Sequence, residues 1–489
     1  MANYIMLQGT SSHVGKSILT AALCRILYQE GRRVTPFKAQ NMALNSYVTA
    51  DGLEMGRAQV AQAEAARLAP NVDMNPVLLK PTGNSTSQVI INGRPIGNMS
   101  AKEYHQGYSL KAFDAVKAAL KRLDSDFDTI VIEGAGSPAE VNLKANDIVN
   151  MRVAKYLNAP VLLVADIDRG GSLAALVGTL ELLDDDERDL VKGLVINKFR
   201  GDVSLFTPAI DFLENKTGKP VLGVVPFIDK LGIDDEDSVS LDDKVNLNTT
   251  AAVKVAVVRT PKMSNFTDFD SLAGEQDVSL TYAGRAEELE AVDLVVLSGS
   301  KNTIDDLMYL KSSGIASRVR TLALGGTAVI GICGGFQMLG SKIADPLHIE
   351  STNDEVDGLG LLPLTTTFAA EKYTRQVTLD KIDFTFLGTR VIADNLSGYE
   401  IHSGVTGGLG DEKIVAADNV LGTYVHGIFD NDSFRRQILN AVRLRKGLKA
   451  LPNTRNYLAE KQQSYDRLAQ IVCENLNMTL LKAIMECSD

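Results

Sequence analysis

The sequence has few of the residues and patterns that define several large classes of protein. Only four of its 489 residues are cysteine, and no two of them form a Cys-x-x-Cys pair. This spacing indicates neither a zinc site nor a disulfide framework, and it favours a reducing compartment. No stretch approaches the roughly 20 apolar residues that a membrane-spanning helix requires. We therefore predict a cytoplasmic protein that does not cross a membrane.

The chain has no excess of positive charge, since its 61 acidic residues outnumber its 50 lysines and arginines. The formal net charge is −11, whereas a nucleic-acid-binding protein usually presents a basic face, so we predict no nucleic-acid partner. Histidine occurs only five times, which leaves a short set of candidate imidazole bases. A chain of this length is too long for one ordinary core and predicts two or three domains.

Short apolar runs alternate with helical patterns in two parts of the chain. In residues 1–232 the runs are 4–7, 128–132, 160–165, 192–196 and 221–225. In residues 251–445 they are 253–258, 293–297, 327–332 and 420–425. Runs of this kind, bounded by Gly, Asp, Asn or Pro, are typical of parallel strands with helices on both faces. We predict an α/β protein with two domains, residues 1–232 and 251–445.

Two further segments differ from this pattern. Residues 233–250 are acidic and poor in large apolar side chains, which predicts a linker between the domains. Residues 446–489 form a C-terminal extension in which apolar side chains recur at every fourth position, at Leu468, Val472, Leu476, Leu480 and Ile484. This stripe predicts a helix packed on the second domain.

A phosphate-binding loop is predicted directly after the first apolar run. Gly9 and Thr10 open a polar loop, and Gly15, Lys16 and Ser17 begin a helical pattern. Glycines let backbone N–H groups turn toward phosphate oxygens, and the helix N-terminus adds positive potential. Lys16 would reach the terminal phosphates of ATP, and the Ser17 hydroxyl would bind Mg²⁺. The loop has five residues between its glycines, one more than the commonest pattern.

Acidic side chains follow several of the predicted strands. Glu133 ends the second apolar run and is a candidate Mg²⁺ ligand. Asp166 and Asp168 end the next run, and Arg169 on the following glycine turn could clamp a phosphoryl group or a substrate carboxylate. Asp147 has two interpretations, a helix cap or a catalytic acid, and the sequence does not separate them.

A second reaction signature surrounds Cys333. This residue lies between an apolar run and a helical pattern, with glycines on both sides, where the positive end of a helix stabilises a thiolate. The backbone N–H groups of Gly334 and Gly299 could form an oxyanion hole. His426 ends a strand beside a glycine and is the favoured base. His402 is the competing base, although its pattern favours a pocket or structural role.

Longer stretches are similar to the cobyric acid synthase family, the glutamine-dependent amidotransferases of cobalamin biosynthesis, over essentially the full chain. They are residues 9–17, 37–42, 54–59, 75–81, 133–140, 197–202, 264–270, 299–303 and 398–402. The most specific are EGAGSPAE at 133–140 and SNFTDFD at 264–270. The resemblance implies a dethiobiotin-synthetase-like P-loop domain followed by a class I-type glutamine amidotransferase domain.

The resemblance also implies a reaction. Glutamine would bind the second domain, where Cys333 attacks its amide, His426 transfers protons and ammonia is released. In the first domain, ATP and Mg²⁺ held by Lys16, Ser17 and Glu133 would phosphorylate a corrin carboxylate, and ammonia would displace the phosphate. The implied substrate is adenosylcobyrinic acid a,c-diamide, amidated at positions b, d, e and g to adenosylcobyric acid.

Other expectations rest on the same resemblance. The stretch at 37–42 makes Lys38, Gln40 and Asn41 candidates for the substrate or phosphoryl site, together with the acidic residues and Arg169 named above. His426 is not followed by the Pro-Glu of the broader class I glutaminases, so no third triad residue is assigned and a Cys–His pair is implied.

Two alternatives stay open at this point. One is a related two-module amidoligase such as a cobyrinate a,c-diamide synthase, although the residues after the strand that carries Glu133 favour the cobyric acid group. The other is a partition-type regulatory ATPase with an inert second domain. Such ATPases usually carry an extra lysine early in the phosphate loop, where this chain has Thr10 and two serines.

Overall fold

The computed structural model describes residues 2–83, 85–229, 231–234, 250–410 and 412–486. Its chain divides into two compact units, each with its own core. The first unit comprises Met1–Ala43, Glu54–Ile233 and Lys461–Asp489, and the second comprises Leu44–Leu53 and Asp234–Glu460. Most of the predicted acidic linker, residues 235–249, lies outside the described residues.

The first unit is built on a six-stranded sheet. Its strands are β1 (Asn3–Gly9), β2 (Val34–Phe37), β3 (Thr129–Glu133), β4 (Val161–Asp166), β5 (Val191–Phe199) and β6 (Val221–Pro226). Their order is β6-β5-β4-β1-β3-β2, and every neighbouring pair is parallel. The parallel sheet predicted from the apolar runs is confirmed. Strand β2 was not predicted; it contains Pro36 and lies at the edge of the sheet, where proline is tolerated.

Both faces of this sheet are apolar. Along β1, Tyr4 and Met6 pack into one core, whereas Ile5 and Leu7 pack into another. Alternation of this kind follows from the two-residue period of a strand, and apolar residues on both faces mean that both are covered. The helices of the unit before its C-terminal segment are Lys16–Gln29, Arg57–Ala65, Ala101–Glu103, Ser109–Asp126, Met151–Leu157, Ser172–Leu182, Asp185–Leu190 and Thr207–Thr217.

A smaller sheet accompanies the main sheet of the first unit. Its strands, in spatial order, are Gln40–Met42, Val77–Pro81, Thr86–Ile91 and Arg94–Ser100. The first pair is parallel and the other two pairs are antiparallel. Because Gln40–Met42 follows β2 after only two residues, this sheet begins beside the end of β2, close to the phosphate loop.

The C-terminal segment forms two helices, Tyr457–Asn475 and Met478–Glu486. Leu468, Val472 and Leu476 are buried in the core of the first unit together with Ile5 and Leu19. The prediction that this helix packs on the second domain was therefore wrong: an apolar stripe shows that one face is buried, but it does not identify the partner. The last residue of the first helix, Asn475, packs against Gly223 of β6. A Cβ atom added to Gly223 would lie 2.0 Å from the carbonyl oxygen of Asn475.

The second unit contains another six-stranded sheet. Its strands are β7 (Val253–Val258), β8 (Val278–Ala283), β9 (Leu294–Leu297), β10 (Ala328–Ile332), β11 (Ile414–Ala417) and β12 (Val420–Thr423). The order is β8-β7-β9-β10-β12-β11, and only the β12–β11 pair is antiparallel. Helices of this unit are Asp270–Ala273, Thr303–Ser312, Ile315–Leu324, Gly334–Leu339 and Asp432–Arg445.

A long β-hairpin was not predicted. Its strands, Thr365–Phe386 and Thr389–Gly407, pair in an antiparallel register. They join a five-stranded sheet with Glu355–Asp357, Lys342–Ala344 and Val425–His426. The register places Tyr399 opposite His426, so the hairpin forms one wall around the predicted base. Among the described residues of both units, no helix is long and apolar enough to span a membrane.

Candidate functional site

The phosphate loop connects β1 to the helix Lys16–Gln29. Gly15 has φ 97°, in the left-handed region that favours glycine. A Cβ atom on Gly15 would lie 2.1 Å from Nδ2 of Asn197, and one on Gly9 would lie 2.8 Å from Nζ of Lys16. Glycine at these two positions lets the loop fold tightly at the helix N-terminus, the arrangement in which backbone N–H groups bind phosphate.

Hydrogen bonds fix the shape of this loop. The backbone N–H of Thr10 donates to the carbonyl of Val164 on β4 over 2.9 Å. The Lys16 ammonium donates to the carbonyls of Ser11, at 3.1 Å, and Gly136, at 3.2 Å. The buried ammonium therefore spans the loop and the turn after β3, where it could reach the oxygens of a bound phosphate.

The carboxylate at the end of β3 accepts hydrogen bonds from three side chains near the start of the helix Lys16–Gln29. Glu133 is buried, and its Oε1 accepts from the Ser17 hydroxyl at 2.8 Å and from Nζ of Lys38 at 2.8 Å. Its Oε2 accepts from Nε2 of Gln62 at 2.5 Å. The structure therefore brings together three residues that the sequence identified separately, Ser17, Lys38 and Glu133.

The donor set at this position fits a magnesium ion. Mg²⁺ is usually held by one or two carboxylates together with substrate phosphates and water. Ser17 and Glu133 offer one hydroxyl and one carboxylate, both hard oxygen ligands. No cluster of three or more His, Cys, Asp or Glu side chains suited to a metal occurs in the described part of the chain. A magnesium ion here would therefore need the phosphates of a bound nucleotide to complete its coordination.

A cavity of about 750 Å³ lies beside the loop in the first unit. Its lining includes Ser11, Gln40 and Asp147. Gln40 is oriented by Tyr104, whose hydroxyl donates to Oε1 at 2.5 Å. Asn41 points elsewhere, since its Nδ2 donates to Gln59 at 3.0 Å. Of the candidates in the stretch 37–42, Gln40 lies at the cavity and Lys38 at the carboxylate cluster.

The carboxylate of Asp147 accepts from backbone amides just before the helix Met151–Leu157, whose N-cap residue is Asn150. Oδ1 of Asp147 accepts from the backbone N–H groups of Val149, at 2.9 Å, and Asn150, at 3.1 Å. Its Oδ2 also accepts from the backbone N–H of Arg152 in the first turn of the helix at 3.3 Å, so backbone amides hold the carboxylate in place. Its position in the cavity lining also keeps it beside the site.

The charged residues at the end of β4 and just after it make two separate sets of contacts. Oδ2 of Asp166 pairs with Nζ of Lys198 at 2.8 Å, and the same ammonium donates to the carbonyl of His13 in the phosphate loop at 2.6 Å. Asp166 is therefore linked to the loop. Asp168 instead pairs with Arg200 at 2.8 Å, and both Asp168 and Arg169 are exposed.

In the second unit, Cys333 occupies a sharp turn between β10 and the helix Gly334–Leu339. Its φ of 53° is unusual for a residue with a side chain, and such strain is often found at functional sites. A Cβ atom on Gly335 would lie 2.1 Å from the carbonyl oxygen of Leu297, so glycine is needed for the helix to start this close to β9. Cys333 keeps 7% of its surface exposed, and its Sγ lies 3.4 Å from the carbonyl of Ile401.

An imidazole and a carboxylate adjoin this thiol. His426 is close enough to Cys333 for the cysteine to raise its pKa, and its Nδ1 lies 2.6 Å from Oδ2 of Asp268. The other oxygen of Asp268 accepts from the backbone N–H of Gly427 at 3.0 Å. Burial lowers the pKa of His426, but Asp268 and Cys333 outweigh it and raise the pKa to about 10. The arrangement is therefore a cysteine beside an imidazole that is hydrogen-bonded to an orienting carboxylate.

Asp268 is the functional residue that the sequence reasoning missed. The resemblance implied a Cys–His pair, and the structure adds a buried carboxylate bonded to the imidazole. Asp268 lies in the stretch SNFTDFD that carries the resemblance, so a local signal existed. Its separation of 158 residues from His426 is what hid the pairing.

The two glycines predicted for the oxyanion hole approach the same point. A Cβ atom on Gly299 would lie 3.2 Å from Cε1 of His426, and one on Gly334 would lie 2.9 Å from the backbone nitrogen of Ser300. Gly299–Ser300 is held as a short strand against Met263–Ser264. The turn at Gly299 and the helix start at Gly334 are thus close to each other and to the imidazole.

His402, the competing base, has a different environment. Its ring stacks on Tyr424 with centroids 3.8 Å apart, and its Nδ1 lies 3.2 Å from the carbonyl of Gly404. Burial lowers the pKa of His402 to about 4, so the ring is neutral at physiological pH. These contacts favour a structural or pocket role and leave His426 as the imidazole beside Cys333 that is oriented by a carboxylate.

A phosphate loop with its carboxylate and an elbow cysteine with its imidazole are the working parts of a glutamine-dependent ligase, and comparisons with known proteins agree with this class. A family model described as "CobQ/CobB/MinD/ParA nucleotide binding domain" matches residues 5–240. A second, "CobB/CobQ-like glutamine amidotransferase domain", matches residues 254–434.

Relatives that match over their full length identify the family within this class of ligases. The cobyric acid synthases of Moorella thermoacetica and Carboxydothermus hydrogenoformans are each 52% identical to this chain, with 99% of the chain covered and 98% and 100% of the relatives covered. That of Synechococcus elongatus is 48% identical, with 98% of this chain and 99% of the relative covered. The chain belongs to the cobyric acid synthase family.

Proposed function

We propose that this chain converts peripheral carboxylates of a corrinoid to carboxamides, using ATP as the energy source and glutamine as the nitrogen donor. The observation that carries the proposal is the presence, in one chain, of the Ser17–Glu133 cluster at a phosphate loop and of Cys333 beside the His426–Asp268 pair. We assign the ATP-dependent step to residues 1–232 and glutamine hydrolysis to residues 251–445, joined by an acidic linker.

Glutamine hydrolysis would proceed through a thioester. Cys333 passes its thiol proton to His426, the resulting thiolate attacks the amide carbon, and the backbone N–H groups of Gly299 and Gly334 stabilise the oxyanion. His426 gives its proton to the departing nitrogen, so the C–N bond breaks and ammonia leaves. Water, deprotonated by the same imidazole, then cleaves the thioester to glutamate and restores the thiol. Asp268 keeps the imidazole oriented and stabilises its charged form.

The second reaction activates a carboxylate that ammonia cannot attack directly. A substrate carboxylate oxygen takes the γ-phosphoryl group of ATP, ADP leaves, and ammonia then displaces phosphate from the acyl phosphate to give the amide. Lys16 and the loop amides bind the phosphates during transfer. Ser17 and Glu133 would hold Mg²⁺, which supplies charge neutralisation at the phosphates when bound.

The relatives' name supports the choice of substrate. We propose adenosylcobyrinic acid a,c-diamide, amidated at positions b, d, e and g to adenosylcobyric acid. The cavity beside the phosphate loop is the candidate site for the reacting carboxylate, because Ser11 of the loop and Gln40 both line it. The cysteines at 24, 333 and 473 are free thiols, which supports the reducing environment of the cytoplasm.

Mass spectrometry of the corrinoid product tests this proposal. With adenosylcobyrinic acid a,c-diamide, ATP, Mg²⁺ and glutamine, we expect product masses that differ by the exchange of a hydroxyl for an amino group at each site. Glutamine labelled with ¹⁵N at its amide should transfer the label to the product. Omission of ATP, or of the nitrogen source, should leave the corrinoid unchanged. An unchanged corrinoid in the complete mixture would contradict the proposal.

The carboxylate of Asp268 gives a prediction within the proposed glutaminase site. Asp268→Asn removes the charge that raises the pKa of His426, and burial then lowers that pKa. We expect kcat for glutamine hydrolysis to fall about 10³–10⁴-fold. The high-pH limit of residual activity should also lie below that of the wild type, since the imidazole without the carboxylate loses its proton at a lower pH.

Steady-state glutamate release as a function of pH checks this prediction. Asp380→Asn is a matched control because Asp380 is exposed on the hairpin of the same unit. Amidation supported by ammonia should stay at the wild-type rate in both variants. Retention of both kcat and the high-pH limit in Asp268→Asn would remove Asp268 from the mechanism.

A further inference from the structure

The segment Leu44–Leu53 belongs to the second unit, although the chain before and after it belongs to the first. The backbone of Ser46, in this segment, is hydrogen-bonded to two side chains of the second unit. The N–H of Ser46 donates to Oδ1 of Asn265 at 3.2 Å, and its carbonyl accepts from Nδ2 of Asn265 at 3.1 Å and from the hydroxyl of Tyr399 at 3.1 Å. These groups are buried, so the segment is docked through specific hydrogen bonds.

The hairpin of the second unit holds the same segment at two further points. The carbonyl of Val48 accepts from Nε2 of Gln376, and the carbonyl of Gly52 accepts from the Thr374 hydroxyl at 2.7 Å. Val48 is fully buried and packs with Tyr399 and Ile401. Backbone recognition along the segment, together with a buried apolar contact, indicates a fixed position within this unit.

The side chains that bind Ser46 also flank the proposed catalytic groups. Asn265 has φ 55° and begins the short 3₁₀ helix Phe266–Phe269, which contains Asp268. Its amide also donates to the Tyr399 hydroxyl at 3.0 Å. The ring of Tyr399 stacks on the imidazole of His426, with centroids 5.2 Å apart and planes inclined by 19°.

We propose that the segment Leu44–Leu53 forms part of the glutaminase site, and that Asn265 and Tyr399 are positioning residues through which its docking sets the orientation of His426 and Asp268. This inference rests on the proposed function of these two groups. Its physical basis is that the two residues that bind Ser46 also contact the catalytic pair: the carbonyl of Asn265 accepts from the backbone N–H of Asp268 at 3.1 Å, and the ring of Tyr399 stacks on His426. The residues before and after the segment belong to the unit that holds the phosphate loop. Glutamine hydrolysis in the second unit would therefore depend on ten residues, 44–53, from the N-terminal half of the chain.

Two substitutions isolate the hydrogen bonds from the packing. Tyr399→Phe removes the hydroxyl bonded to Ser46 and Asn265 but keeps the ring that stacks on His426. Asn265→Gly removes the amide while accepting the left-handed backbone without strain. For each, we expect kcat of glutamine hydrolysis to fall at least about tenfold, the cost of unpaired buried polar groups. The KM for glutamine and ammonia-supported amidation should change less than about twofold, because neither residue would bind substrate.

Hydrogen exchange supplies a readout that does not depend on activity. The Ser46 amide should be protected in the wild type and exchange faster in Asn265→Gly. Tyr309→Phe, which removes a phenol hydroxyl from the helix Thr303–Ser312, is the matched control and should leave all rates unchanged.

Three outcomes have different meanings. Faster exchange at Ser46 with an unchanged kcat would overturn the positioning role, and so would a parallel loss of ammonia-supported amidation, since the proposal expects a selective effect. Wild-type protein that releases no glutamate from glutamine would instead overturn the proposed function on which the inference rests. A selective fall in kcat together with faster exchange supports the inference.

Discussion

We expect Cys333→Ala to abolish glutamine-supported amidation and to leave ammonia-supported amidation at the wild-type rate. The alanine cannot form the thioester, and the remaining backbone N–H groups and His426 supply no nucleophile. We expect glutamate release to fall by about 10⁴-fold or more, as for loss of the nucleophile in other hydrolases that act through a covalent intermediate. The ATP-dependent step uses groups of the other unit, so ammonia supplied as an ammonium salt should bypass the defect.

Glutamate release and corrinoid mass, followed in the same reactions, check this prediction. Cys473→Ala is the matched control, because Cys473 is an exposed free thiol on the C-terminal helix Tyr457–Asn475. It should behave as the wild type with both nitrogen sources. Glutamine-supported amidation that persists in Cys333→Ala would reject the thiol as the nucleophile. Loss of the ammonia-supported reaction in the same variant would indicate that the substitution acts through the fold.

The parts of the fold that could be predicted from the sequence are those with a local pattern. Strands such as β4 and β10 are buried on both faces and therefore appear as continuous apolar runs. The edge strand β2 has only four residues and contains Pro36, so it offers no such run. The long hairpin exposes many of its side chains and is rich in threonine and charged residues, and its strands become clear only when they pair.

In the candidate site, too, the residues that could be predicted from the sequence are those with a local pattern. Gly15 and Cys333 lie in turns whose neighbours impose the geometry, so their positions could be identified from adjacent residues. Asp268 is one of 61 acidic residues, and only the tertiary fold brings it to His426. The docking of Leu44–Leu53 in the second unit depends on backbone groups of the segment, which have no distinguishing residue type. Long-range pairing and backbone recognition are therefore what the sequence could not reveal.

The largest effect expected in the first unit follows from Lys16. Lys16→Ala removes the ammonium that spans Ser11 and Gly136, and with it the positive charge available to a transferring phosphoryl group. We expect ATP-dependent amidation to fall by at least about 10²–10³-fold with either nitrogen source. Glutamine hydrolysis should persist, because the Cys333–His426 pair does not depend on the phosphate loop.

The contrast between the two nitrogen sources distinguishes this variant from Cys333→Ala. A defect in carboxylate activation removes amidation by glutamine and by ammonia together while glutamate release continues. Lys16→Arg should also be inactive, since a planar guanidinium does not fit the compact position of a buried ammonium between two carbonyls. Lys192→Ala removes an exposed lysine from β5 and should retain full activity. Ammonia-supported amidation at the wild-type rate in Lys16→Ala would mean that the loop does not bind the phosphate used to activate the carboxylate.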